Sequence, residues 1–240
     1  KLKLKTFGCA QVVGPKWCGK TETSKQSAKS IIDLSDDKLI FTYNQMPSLA
    51  LEKDKPTLID EWQEIPALWD MVRHYCDNNN GTGHFILTGS SAKKVKTKHT
   101  GTGRISTLKM YPMSLYESKE SNGTVSLKDL FDKKQIDLKK AKSNLSLKDI
   151  IFASCRGGWP QSLSLSSKES QLEIVKDYFS QIWERDIYSV DKVKRNKYAM
   201  KDLLLSYARN ISTLATDKTI WQDLQNHKIL KLTNFKTLKL

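Results

Sequence analysis

Near the start of the chain, Gly14-Pro15-Lys16-Trp17-Cys18-Gly19-Lys20-Thr21 has the residue types and spacing of a loop that holds phosphate. Gly14 and Gly19 let backbone N–H groups turn into one concavity, while a helix opening at Lys20 adds the positive end of its dipole. In such a loop Lys20 bridges the β and γ phosphates and the Thr21 hydroxyl coordinates Mg²⁺. About forty residues further on, Leu58-Ile59-Asp60-Glu61 ends an apolar run in two carboxylates. An Asp at a strand tip holds Mg²⁺, directly or through water, and the next carboxylate orients and deprotonates an attacking water, so Asp60 is the metal candidate and Glu61 the base.

A third polar cluster is Thr88-Gly89-Ser90-Ser91. Thr88 and Ser90 are candidates to sense the γ phosphate, provided that their strand lies between those bearing the loop and the acid pair. The plainer role of Ser90 or Ser91 is to cap a helix N-terminus. Arg104 either enters a neighbouring subunit's site and stabilises charge on the transferring phosphoryl group, or forms a surface salt bridge. ATP and Mg²⁺ are the ligands that these residue types fit.

Such a site needs strands to carry it. Cys9 to Val13 reads as a strand before the loop, with an amphipathic helix from Lys20 to about Ile32 after it. Leu39 to Thr42, Thr57 to Ile59, Phe85 to Leu87 and Arg104 to Met110 read as further strands, and Pro66 opens a helix closed by Asn78-Asn79-Asn80-Gly81. Alternating strands and helices predict a parallel sheet with crossover helices over the first ~115 residues. The stretch from Lys93 to Gly103 is basic, glycine-dotted and free of acid, either facing a ligand or serving as a solvated connection. Beyond Pro112 the periodicity is helical: Ser126 to Phe131, Ser146 to Cys155, Lys168 to Tyr188, Tyr198 to Ile211 and Asp217 to Asn226, before a Lys-rich tail from Lys228.

The 240 residues are enough for one large domain or two modest ones, and 38% hydrophobic content excludes a disordered or collagen-like chain. No run approaches the ~18 apolar residues that span a bilayer, so no membrane partner is expected. Cys9, Cys18, Cys76 and Cys155 form no CxxC pair and read as free thiols of a reducing, cytoplasmic compartment. Opening on Lys1 instead of Met, the chain reads as part of a longer polypeptide. Forty Lys and Arg against 26 Asp and Glu leave a net charge of +14, which suits nucleic acid or another polyanion and equally a solubilising lysine excess.

These residues, in this order, resemble the AAA+ ATPases, and more narrowly a prokaryotic family with an AAA_14 domain followed by a DUF4143 region. The narrower likeness rests on the phosphate loop, Ile59-Asp60-Glu61-Trp62-Gln63, Phe85-Ile86-Leu87-Thr88-Gly89-Ser90-Ser91, and Gly101-Thr102-Gly103-Arg104-Ile105 leading to Pro112-Met113-Ser114-Leu115-Tyr116-Glu117. It extends to Arg156-Gly157-Gly158-Trp159-Pro160 and Ala208-Arg209-Asn210-Ile211-Ser212-Thr213. The resemblance implies a nucleotide-binding core, a helical lid, and the start of a winged-helix segment around Ser212 to Asn226. It also implies a lid arginine that reports the γ phosphate, with Arg156 and Arg185 as candidates, although Arg185 equally suits a local ion pair within its helix. Trp159 and Trp183 read as packing residues. The family's nuclease-like C-terminal domain has no counterpart in the short tail, so no nuclease activity is carried over.

The resulting expectation is an α/β P-loop NTPase of the AAA+/ASCE type. Residues 1–118 form the ATPase core, 119–211 a helical lid region, and 212–240 a truncated winged-helix start. The expected function is Mg-dependent ATP hydrolysis coupled to conformational change, with ATP and ADP as ligands and a homo-oligomer as an assembly. The alternative is a nucleotide-switched DNA-binding or regulatory protein with little hydrolysis.

Overall fold

The computed structural model describes residues 1–90, 97, 99–132, 135, 141–186 and 196–227. It forms two compact units, Lys1–Val175 and Lys176–Leu240.

The first unit is built on a five-stranded parallel sheet: β1 (Cys9–Gly14), β2 (Ser30–Asp33), β3 (Thr57–Asp60), β4 (Phe85–Ser90) and β5 (Ile105–Lys109). Their order across the sheet is β2-β3-β4-β1-β5, which puts β4 between the strand that feeds the phosphate loop and the strand that ends in Asp60. Every pairing is parallel, with Val12 beside Thr88, Gly14 beside Ser90, and Ile59 beside Leu87. Their chain direction is therefore common, so Gly14, Asp60 and Thr88 reach the same edge.

Burial on both faces explains why β3 and β4 read as continuous apolar runs. Side chains alternate between the faces. Ile59, Phe85 and Leu87 join Ile32, Leu34, Trp62, Leu68, Trp69 and Val72 in the larger core, while Leu58, Ile86 and Val12 pack with Leu4, Ala28 and Met110 in a smaller one. The helices of the sheet region are α1 (Leu2–Thr6), α2 (Lys20–Lys25), α3 (Asp37–Gln45) and α4 (Ala67–Asn78). Two short 3-10 helices, Pro47–Leu51 and Trp62–Glu64, complete it.

Two expected elements are corrected. The helix after the phosphate loop stops at Lys25, and Ser30–Asp33 is strand β2, with Ile32 beside Ile59. Ile31 and Ile32 belong to a strand whose partner is distant in sequence, so helical spacing alone could not separate them from the preceding turn. Leu39 to Thr42 is helical and lies inside α3. A four-residue apolar run fits either conformation. Asp36 decides it by accepting from Lys38 N at 2.8 Å, an N-cap that starts the helix.

Beyond the sheet come α5 (Leu127–Phe131), α6 (Leu147–Arg156), α7 (Pro160–Leu163) and α8 (Lys168–Gln181). Ser146 and Asp149 form a capping box that opens α6. Among the described residues, no helix is long and apolar enough to cross a membrane.

The second unit contains a π-helical turn at Ile182–Asp186, α9 (Lys197–Arg209) and α10 (Asp217–Asn226). Asn196 caps α9 and Thr216 caps α10, so polar side chains mark both starts. Ile220 and Leu224 are buried, and the Arg209 guanidinium grips Asp223, with Nη2 at 2.5 Å from Oδ2. Tyr188, the expected end of the long helix, and the tail from Lys228 lie outside the described residues.

Candidate functional site

The phosphate loop leaves β1 at Gly14 and enters α2 at Lys20. Gly19 takes φ 95°, a left-handed value that glycine adopts without a Cβ penalty, and it aims the chain into the helix. Trp17 is also left-handed at φ 63° and is half-exposed on the loop. A non-glycine residue held there is typical of a backbone constrained by its surroundings at a site. Gly14 is needed for closeness: a Cβ on it would lie 2.4 Å from the Met110 carbonyl oxygen and 3.1 Å from Cys18 Sγ. Lys20 is buried, and its ammonium donates to the carbonyls of Gly14 at 3.2 Å and Pro15 at 2.8 Å, inside the curve of the loop.

Asp60, buried at the tip of β3, joins the three predicted motifs. One carboxylate oxygen accepts from Thr21 Oγ1 at 2.8 Å, and the other accepts from Thr88 Oγ1. Thr88 is fully buried at the middle of the sheet. Glu61 follows in a left-handed conformation (φ 52°, ψ 43°), turning the chain out of β3 into the 3-10 helix of Trp62–Glu64. Its carboxylate accepts a hydrogen bond from Gln63 Nε2.

An open cavity of about 480 Å³ lies over the loop, lined by Lys16, Trp17, Gly19, Lys20, Thr21, Glu22, Glu61, Pro160 and Gln161. That volume is within the ordinary range of small-molecule sites, ~300 to 1,000 Å³. Pro160 and Gln161 belong to α7, so a segment 140 positions beyond Lys20 supplies one wall. It is held there in part by Met113 N, which donates to the Gly158 carbonyl at 2.7 Å.

The structure therefore gathers Gly14, Lys16, Trp17, Gly19, Lys20, Thr21, Asp60, Glu61 and Thr88 in one region, with Pro15 and Cys18 in the loop between them. Ser90 closes β4 in register with Gly14, and Ser91 lies outside the described residues. Arg104 is elsewhere. It precedes β5 and so stands at the opposite end of the sheet, where its Nε lies 2.5 Å from Asp77 and its Nη1 donates to the Thr102 carbonyl. That guanidinium holds the Asp77 carboxyl below the usual carboxylate range.

Arg156 is also engaged. It is buried, and its two terminal nitrogens make a bidentate pair with Glu120 at 2.9 and 2.7 Å. This pairing holds the Glu120 carboxyl below its ordinary range, because a charge-assisted hydrogen bond favours the ionised form. Arg185 is exposed in the π-helical turn of the second unit. Of the residues lining the cavity, Glu22, Pro160 and Gln161 have no role in the sequence reading, and neither does Gln63 beside Glu61. Only family likeness points to the segments Trp62-Gln63 and Arg156–Pro160, since their positions depend on tertiary packing.

A P-loop, an acidic strand tip and a polar strand between them, on one edge of a parallel sheet flanked by helices, define an α/β P-loop NTPase fold. Residues 8–119 match the family model of an AAA domain, AAA_14. Residues 147–238 match a domain of unknown function, DUF8612, which is a different domain from the DUF4143 region that the resemblance implied. A search of curated proteins returns no match.

Solved structures similar to this chain include a structure of C. elegans PCH-2, at 13% identity over 71% of this chain and 60% of that one, with a TM-score of 0.33. Another is the FIGL-1 AAA domain in complex with ADP, at 14% identity over 96% of this chain and 85% of that one, with a TM-score of 0.37. The chain thus spans less than two thirds of the length of the PCH-2 chain.

Proposed function

We propose that this protein is an ATP hydrolase whose reaction takes place in the cavity over the Gly14–Thr21 loop. The observation that carries this reading is the convergence on Asp60 of Thr21 from the phosphate loop and Thr88 from the intervening strand, with Glu61 lining the same cavity as Lys20. In this reading the loop amides and the Lys20 ammonium bind the β and γ phosphates, exchanging the carbonyl contacts of Lys20 for phosphate oxygens.

The donor set fits Mg²⁺. Thr21 and Asp60 present a hydroxyl and a carboxylate to each other at 2.8 Å, hard oxygen donors of the kind that Mg²⁺ takes alongside substrate phosphates. Among the described residues no cluster of three or more His, Cys, Asp or Glu side chains forms a self-contained metal centre. When bound, the ion would neutralise charge on the phosphate oxygens. Thr88 holds the Asp60 carboxylate from the opposite side and keeps it aimed at Thr21.

Glu61 takes a proton from the attacking water. The water oxygen forms its bond to the γ phosphorus as the bond from that phosphorus to the β–γ bridging oxygen breaks, leaving ADP and inorganic phosphate. Movement of the Pro160–Gln161 wall is the route by which nucleotide state would reach the rest of the first unit.

The test compares native protein with Lys20→Ala and Glu61→Gln. Lys20→Ala is expected to bind ATP about 10- to 100-fold more weakly. Glu61→Gln is expected to bind ATP normally and turn it over ~10² to 10⁴ times more slowly, the range for loss of a general base. Equal hydrolysis by all three proteins would refute the proposal.

A further inference from the structure

The Glu61 carboxylate is not left to find its own orientation. The left-handed turn at Glu61 and the 3-10 helix that follows bring the Gln63 side chain back beside it, so that Gln63 Nε2 donates to Glu61 Oε2. The turn is anchored from below. Trp62 is buried and packs against Trp69 of α4 with ring centroids 5.0 Å apart, and the Glu61 carbonyl accepts from Glu64 N at 3.0 Å.

Gln63 is itself buried, at 8% exposure, and its Oε1 has no hydrogen-bond partner among the described residues. Burying an amide oxygen unpaired costs free energy, so apolar packing alone would favour a residue without it. The β4 strand makes room for that amide: a Cβ on Gly89 would sit 2.4 Å from Gln63 Oε1, and glycine removes the clash. Gly89 lies between Thr88, which holds Asp60, and Ser90. One strand thus supports both carboxylates, Asp60 by a hydroxyl and Glu61 by leaving space for Gln63.

We infer that Gln63 is a positioning residue for Glu61: its amide N–H pins the carboxylate in the orientation in which it faces the cavity over the phosphate loop. This rests on the reading of Glu61 as the base for ATP hydrolysis. A base must be held within a hydrogen-bond length of the proton it takes, and misplacement by ~1 Å costs on the order of 10²-fold in rate. Gln63 does not line the cavity, so it acts through Glu61 and not on the nucleotide.

The experiment is a double-mutant cycle on the full chain, measuring kcat, KM and the affinity for a non-hydrolysable ATP analogue. Gln63→Met keeps the side chain's length and removes the donor. It is expected to lower kcat ~10- to 100-fold, leave analogue affinity within about twofold of native, and cause no further loss when combined with Glu61→Gln. Gly89→Ala, whose methyl displaces the Gln63 amide, is expected to reproduce that loss and to add nothing in the Gln63→Met background.

Native kcat in Gln63→Met would overturn the inference, and so would losses that multiply in the Glu61→Gln background. Should Gln63→Met fail to fold, Gln63→Asn, which shortens the reach of the same amide, carries the same expectations. A Glu61→Gln protein as fast as native would instead refute the hydrolytic reading itself, before Gln63 is considered.

Discussion

Thr21 donates its hydroxyl to Asp60 at 2.8 Å across 39 positions of sequence, joining the end of the phosphate loop to the tip of β3. The contact exists because β1 and β3 point the same way and β4 separates them by one strand width on either side. Thr88, on β4, closes the gap by donating to the other oxygen of the same carboxylate.

Lys20 is the cationic centre of the loop. Replacing it with Ala removes the charge-assisted hydrogen bonds that phosphate would accept, and ATP affinity is expected to fall about 10- to 100-fold. Equilibrium binding of a fluorescent ATP analogue measures this, and Thr21→Ala in the same assay should alter the Mg²⁺ dependence more than the affinity without metal.

Thr88→Val keeps shape and volume while removing the donor to buried Asp60. The lost hydrogen bond is expected to lower stability by about 1–3 kcal/mol, read from urea unfolding, and Thr88→Ser should restore most of it. Equal stability of the Val and Ser variants would show that the hydroxyl does not hold Asp60.

The Arg156–Glu120 pair ties α6 to the segment that follows Tyr116. Breaking it with Arg156→Ala strands a carboxylate and is expected to cost on the order of 2–3 kcal/mol. The native Glu120 carboxyl is held low by the Arg156 hydrogen bonds, so its contribution is complete above its ordinary value of about 4.5 and is lost as pH falls through the lower folded value. Stability measured from pH 7 down to pH 3 should therefore fall more steeply in native protein than in Glu120→Gln.

The thiols should separate by reactivity. Burial pushes the Cys9 thiol well above its ordinary range and the Cys76 thiol up to about 11, whereas Cys155 is exposed on α6. Because the thiolate is the nucleophile, brief alkylation at pH 8 should label Cys155 first and leave Cys9 and Cys76 unmodified until denaturant is added. Mass spectrometry of the labelled peptides reads this directly.

Much of the site was legible in the residues themselves. A G-x4-G-K-T loop between a strand and a helix, an apolar run ending in Asp60-Glu61, and a strand ending near Thr88 are local patterns, because each depends on backbone conformation within a few residues. Where the local pattern was short, it misled: Leu39 to Thr42 lies within a helix because of Asp36, and Ile31-Ile32 forms an edge strand because β3 lies beside it.

Other features arise between segments distant in sequence. The place of β4 between β3 and β1, the wall supplied by Pro160 and Gln161, the capture of Arg104 by Asp77 and of Arg156 by Glu120, and the room that Gly89 leaves for Gln63 are contacts that no local periodicity encodes. From its own residue types and spacing, the sequence determined that phosphate-binding and acid groups are present in the right chain order. The tertiary structure decided which of them meet, because parallel strand order and side-chain packing set distances through space that are independent of distances along the chain.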